Sequence, residues 1–163
     1  MKIQKREVTV VLNMLKKFKA DSSNRRLKNI VDKCLLDLGS FMQKDTFSKN
    51  DVENLWRNVE AFCRDLNRID KNMTLDKIIA PGTVIMNEFL KDINMKPKQI
   101  SSNKIRLILI ELLDRVSKAE DLYTEAIVAI YVIGATCKIY LDVNDLSNIT
   151  NVDFKKEEKK YEN

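Results

Sequence analysis

Between Ala126 and Cys137 the chain carries no charged side chain and reads as apolar on every side. A helix with no polar face must be covered all round. The run is shorter than the roughly 20 apolar residues that cross a bilayer, so it predicts no membrane span. It predicts instead the central helix of a bundle, extending over about 120–142 and about 34 Å long. The other helices are then expected to wrap around it.

The rest of the chain supplies wrappers of that kind. Val8, Val11, Leu12, Leu15 and Phe18 form an apolar stripe at helical spacing and predict a helix from about Gln4 to Ala20. Leu27, Ile30, Val31, Cys34, Leu35, Leu38, Phe41 and Met42 form a second stripe over about 24–44. Gly39 inside it costs about 1 kcal/mol relative to Ala, which suggests a close helix crossing there. Ser48 and Asp51 are spaced as a capping box, and Phe47 is placed to staple onto Val52. They open a third helix, with core positions Val52, Leu55, Trp56, Val59, Phe62, Cys63 and Leu66 and a charge-mixed outer face.

Thr74 is expected to cap a short helix, Leu75 to Ile79. Ala80-Pro81-Gly82 is expected to end it, because Pro removes a backbone donor and Gly permits a tight turn. A new helix then starts at Thr83. Ser101 or Ser102 caps a further helix, 103–118. With only 3 Gly and 2 Pro in 163 residues, few breakers are available for the many turns of a sandwich or barrel. The fold class read from this pattern is all-α: one bundle of six or seven helices over residues 1–152. The tail 153–163 has four Lys and four acids and is expected to be disordered.

The net charge of +5 is unevenly spread. Residues 1–28 carry +7 and the remainder −2. Lys16, Lys17, Lys19, Arg25, Arg26 and Lys28 converge on one helix end and the turn after it, and Lys96 and Lys98 lie in a later loop. These eight residues are the candidate contacts to phosphates or to an acidic partner surface. Few aromatic residues are free to stack on bases, so nucleic-acid binding through them would be largely blind to sequence.

Little enzymatic chemistry is expected. The chain has no histidine, which removes the commonest general base and metal ligand. Its glycines stand alone, so no phosphate-cradling loop is present. Glu111 and Asp114 are neighbours on one helix face, and ion pairs with Arg115 and Lys118 account for them. Cys34, Cys63 and Cys137 are widely spaced and fall in apolar surroundings. They fit free buried thiols in a reducing, intracellular compartment rather than a disulfide framework or zinc module. The abundance of Lys, Asn and Ile is that of coding sequence from an AT-rich genome, viral or parasitic.

No cofactor is called for. The leading expectation is a non-enzymatic module that binds a protein partner or a second copy of itself. Ile79, Val84, Ile85 and Met86 are the candidate lining of a groove for a partner's amphipathic helix. A nucleic-acid-binding regulator using the basic N-terminal region is the alternative.

Overall fold

The structure, a computed structural model, describes residues 23–92, 94–96 and 100–152. The helix expected over 4–20 and the tail 153–163 lie outside the described residues. Among the described residues the chain is predominantly helical, with five α-helices and no strand. They are α1 (Ser23–Ser40), α2 (Lys49–Ile69), α3 (Leu75–Asp92), α4 (Ser102–Lys118) and α5 (Leu122–Val152), with a 3-10 turn at Phe41–Gln43 after α1.

Every residue from Ala126 to Cys137 is buried, and α1, α2, α3 and α4 all pack against α5. The described helix runs ten residues beyond the expected end at 142. Its stretch Leu122–Asn144, which holds an 18-residue window of mean hydropathy 1.7, is long and apolar enough to cross a bilayer by length and composition. The shorter run read from the sequence is not. Two-thirds of that window (67%) is already buried inside the bundle, so most of its apolar surface is met by protein.

Proline and glycine act differently from the sequence expectation. Ala80-Pro81-Gly82 does not end a helix; α3 runs through all three residues. Pro81 has no N–H for the Lys77 carbonyl, and the Thr83 hydroxyl donates to the Ile79 carbonyl at 2.8 Å. Gly82 explains why the helix persists. A Cβ there would clash with the carbonyl oxygen of Tyr131 and would lie 2.8 Å from its carbonyl carbon. The missing side chain lets α3 approach the α5 backbone, and the packing gained outweighs the poor helix propensity of the Pro-Gly pair. The helix ends instead in a Schellman motif. Asn94 adopts a left-handed conformation (φ 53°). The Met95 N–H donates to Leu90 O at 2.8 Å and the Asn94 N–H to Lys91 O at 3.0 Å.

The close crossing expected at Gly39 is absent, since nothing lies within 4 Å of a Cβ built there. Gly39→Ala is therefore expected to raise stability by about 1 kcal/mol through helix propensity alone, seen as a higher urea midpoint with an unchanged slope. The tight crossings are at Gly82 and at Gly134, where a Cβ would lie 2.8 Å from Val59 Cγ1.

The α1–α2 connection is fixed to α4. Asn103 accepts from the Phe47 N–H at 2.8 Å, Ser102 donates to Phe47 O at 2.7 Å, and Arg106 donates to Lys44 O at 2.7 Å. The capping box at Ser48 forms, with the Ser48 N–H donating to Asp51 Oδ2 at 2.8 Å and the Asp51 N–H to Ser48 Oγ at 3.2 Å. Lys44 pairs with Asp51 Oδ1 at 3.2 Å. The Ser48 N–H bond holds the buried Asp51 carboxyl below its ordinary pKa; burial opposes this and Lys44 reinforces it.

A depressed folded-state pKa gives stability that is present above the unfolded value near 3.9 and lost as pH falls through the folded value. Asp51→Ala should cost about 1 kcal/mol at neutral pH. The gap from wild type should close as acid protonates Asp51, so denaturation curves from neutral to acid pH should converge. A gap that is constant with pH would assign the effect to packing instead.

Candidate functional site

The described residues offer a cleft of about 320 Å³ between α2 and the Lys138–Asp142 turn of α5. Helices α2 and α5 lie antiparallel there, with Val59 against Gly134 and the first half of α2 beside the later turns of α5. The buried face of α2 is Val52, Leu55, Val59, Phe62, Cys63 and Leu66. Glu53, Trp56 and Glu60 follow the shoulder of that face at i, i+3 and i+7 spacing. On α5 the all-round burial stops at Cys137, and Lys138, Leu141 and Asp142 complete the cleft.

Trp56 is half-buried and packs on the core, and Leu141 is buried beside it. They supply an apolar floor. The rim is charged. Lys138 Nζ donates to both oxygens of Asp142, at 2.7 and 2.9 Å. Arg57 donates to Asn54 Oδ1 at 3.4 Å. Glu53 and Glu60 make no hydrogen bond or ion pair among the described residues. The sequence reading treated the charged side of α2 as plain solvent-facing surface and Trp56 as core. The available signal was the Lys138–Asp142 pair, which marks the turn where the apolar run of α5 meets water.

The candidate groove does not assemble. Ile85 and Met86 are fully buried, Ile79 is half-buried, and only Val84 is exposed, at 47%. The reason is the unbroken α3: a continuous helix turns Ile85 and Met86 into the core and Val84 away from it, whereas a break at Pro81 would have freed the segment from that register.

Of the basic residues, Arg25 and Arg26 are exposed on the first turns of α1. Lys28 is also exposed, and its ammonium sits 5.3 Å from the ring centroid of Tyr123, a cation–π distance. The Tyr123 hydroxyl donates to Asp32 Oδ2 at 3.2 Å, and that bond raises its pKa. Lys96 is exposed and already engaged in an interaction. Lys16, Lys17, Lys19 and Lys98 lie outside the described residues.

The other titratable groups are arranged for structure. Glu111 pairs with Arg115 at 3.3 Å and Asp114 with Lys118 at 3.1 Å, on the surface of α4. All three cysteines are free and buried. Burial pushes the Cys34 thiol up to about 12, with Asp37 and Asp65 adding to the effect. Burial also raises Cys63 and Cys137. Thiols held protonated in this way are poor nucleophiles at neutral pH. No group of three or more His, Cys, Asp or Glu side chains is placed to hold a metal ion among the described residues.

Tyr131 is fully buried, and its hydroxyl has no hydrogen-bond partner among the described residues. Burial raises its pKa, with the nearby Cys63 contributing. An unsatisfied buried hydroxyl costs about 1–3 kcal/mol. Tyr131→Phe keeps the ring and removes that cost, so an increase in stability of about 1 kcal/mol or more is expected in urea titration. A loss of stability would show that the hydroxyl is satisfied in solution.

The chain matches no protein-family model, no curated protein and no solved structure.

Proposed function

We propose that this chain is a non-enzymatic intracellular protein-interaction module, and that the α2–α5 cleft is where its partner binds. The observation that carries the reading is the half-buried Trp56 beside Leu141, bordered by the carboxylates of Glu53 and Glu60, which make no ion pair among the described residues. Trp is the residue type most enriched among side chains that dominate binding energy, and such anchors sit inside polar rims. Three free buried thiols fit a reducing compartment. A second copy of the chain is one partner this surface admits.

Photo-cross-linkers placed at Glu53 and at Arg57, with Lys33 on α1 as the control position, test the reading in cells. A partner captured at 53 and 57 but not at 33 should then bind the purified chain. Trp56→Ala should weaken that binding by about 2 kcal/mol while leaving the far-ultraviolet circular dichroism unchanged. Equal capture at all three positions, or affinity indifferent to Trp56→Ala, rejects the site.

One observation favours a second reading. Arg25 and Arg26 are exposed and make no ion pair among the described residues, as phosphate contacts require. Anisotropy titrations with labelled RNA and DNA at low and physiological salt test it. Binding with a steep salt slope, lost on charge reversal at Arg25 and Arg26, would support nucleic-acid recognition.

A further inference from the structure

The chemistry of the α2–α5 cleft also describes what would fill it. Glu53 and Glu60 are half-buried on α2 and make no ion pair among the described residues. Trp56 is three positions after the first and four before the second, so all three share one face of the helix. The two carboxylate-bearing positions are about two turns apart, about 10.5 Å along the axis. Trp56 lies between them, and Leu141 of α5 lines the same cleft.

The cations of the cleft do not cancel these charges. Lys138 donates to both oxygens of Asp142. Arg57 is exposed and donates to Asn54 Oδ1. A carboxylate partly withdrawn from water attracts a cation more strongly than a solvated one. Positive charge is therefore favoured at two points along this face, and an apolar side chain between them.

An amphipathic helix meets that pattern. In a helix-lined groove such a ligand is read through anchors at i, i+3, i+4 and i+7. Its positions i and i+7 are as far apart as Glu53 and Glu60, and i+3 and i+4 fall between them on the same face. The match holds whichever way the ligand helix runs.

We infer that the cleft takes a basic amphipathic helix of the partner, with apolar side chains at i+3 and i+4 on Trp56 and Leu141 and cationic side chains at i and i+7 on Glu53 and Glu60. The inference rests on the interaction reading of the cleft and names the chemistry of its partner. Arginine suits the site better than lysine, because the planar guanidinium pairs bidentately with a carboxylate and stacks on an aromatic face.

Trp56 is the sole tryptophan of the chain, so its emission reports on the cleft. The probes are three synthetic alanine-based helical peptides without tryptophan or tyrosine, each with Leu at i+3 and i+4. They carry Arg, citrulline or Glu at both i and i+7; citrulline keeps the shape of arginine without its charge. The Arg peptide should shift Trp56 emission to shorter wavelength, saturably, and protect it from acrylamide. The citrulline peptide should bind about tenfold more weakly, the loss expected for two exposed ion pairs, and the Glu peptide more weakly still. Glu53→Gln with Glu60→Gln should erase the preference for Arg over citrulline, and Arg57→Gln should sharpen it. Circular dichroism on each variant controls for folding, and the comparison of peptides on the wild-type chain needs no variant.

Equal affinity for the Arg and citrulline peptides overturns the proposal. So does a preference for the Glu peptide, which would give the cleft to an acidic partner through Arg57. A preference for Arg that survives Glu53→Gln with Glu60→Gln overturns it as well. If any of these occurs while cross-linkers at 53 and 57, but not at 33, still capture a partner, the site stands and only the partner's charge is wrong. Equal capture at all three positions discards the site itself.

Discussion

Ile130→Asp is expected to abolish the folded state. Ile130 is fully buried at the middle of the run in α5 that the other four helices cover. Among the described residues no cation is buried for a carboxylate placed there to meet. The buried polar groups among the described residues are Asp51, Thr136, the Tyr131 hydroxyl and the three thiols. An unpaired buried charge costs several kcal/mol, comparable with the ~5–15 kcal/mol that holds a domain together. Loss of cooperative thermal unfolding and of dispersed NMR signals is the expected readout. Ile130→Val is the control, and should cost only about 1 kcal/mol. A soluble Ile130→Asp protein with full helicity would mean that α5 is not enclosed by its neighbours.

Gly82→Ala is the second large effect, and its sign opposes helix propensity. In an exposed helix the change stabilises by about 1 kcal/mol, as expected at Gly39. At Gly82 the new methyl meets the Tyr131 backbone, which has no rotamer to move aside. The two helices must separate or α3 must bend, and overpacking of this kind costs about 1–3 kcal/mol and sometimes more. The pair Gly39→Ala and Gly82→Ala is thus expected to change stability in opposite directions. Urea midpoints for both proteins, measured side by side, decide it; a stabilised Gly82→Ala protein would refute the close α3–α5 contact.

These two glycines also show where the sequence was legible. Periodicity located the stripes of α1 and α2, and the Ser48–Asp51 spacing located a helix start, because both signals are local. Pro81 and Gly82 were read by local rules as a break. The rule failed because the decisive contact is with Tyr131, some fifty residues away, and no local pattern encodes it. The groove expected at Ile79, Val84, Ile85 and Met86 failed for the same cause, since it depended on that break. The α2–α5 cleft was invisible for a related reason. Trp56 looks like any core aromatic until Leu141 is placed beside it, and Glu53 and Glu60 look like any wet face until they are found lining the same cleft. Charge composition located the excess at residues 1–28, but a sum of charges carries no position in the fold.

The position of the enclosed helix in the chain has a consequence for synthesis. Helices α1 to α4 each carry an apolar stripe that α5 helps to cover, and α5 follows them all. During translation at ~5–20 residues per second, the earlier stripes wait for residues 122–137 to leave the ribosome before the core can close. Completion of the core is thus coupled to the synthesis of α5, and a ribosome stalled before Leu122 releases a polypeptide whose apolar faces are only partly covered. Such truncated chains should be bound by chaperones and degraded as a class, with stability appearing abruptly once Cys137 has emerged.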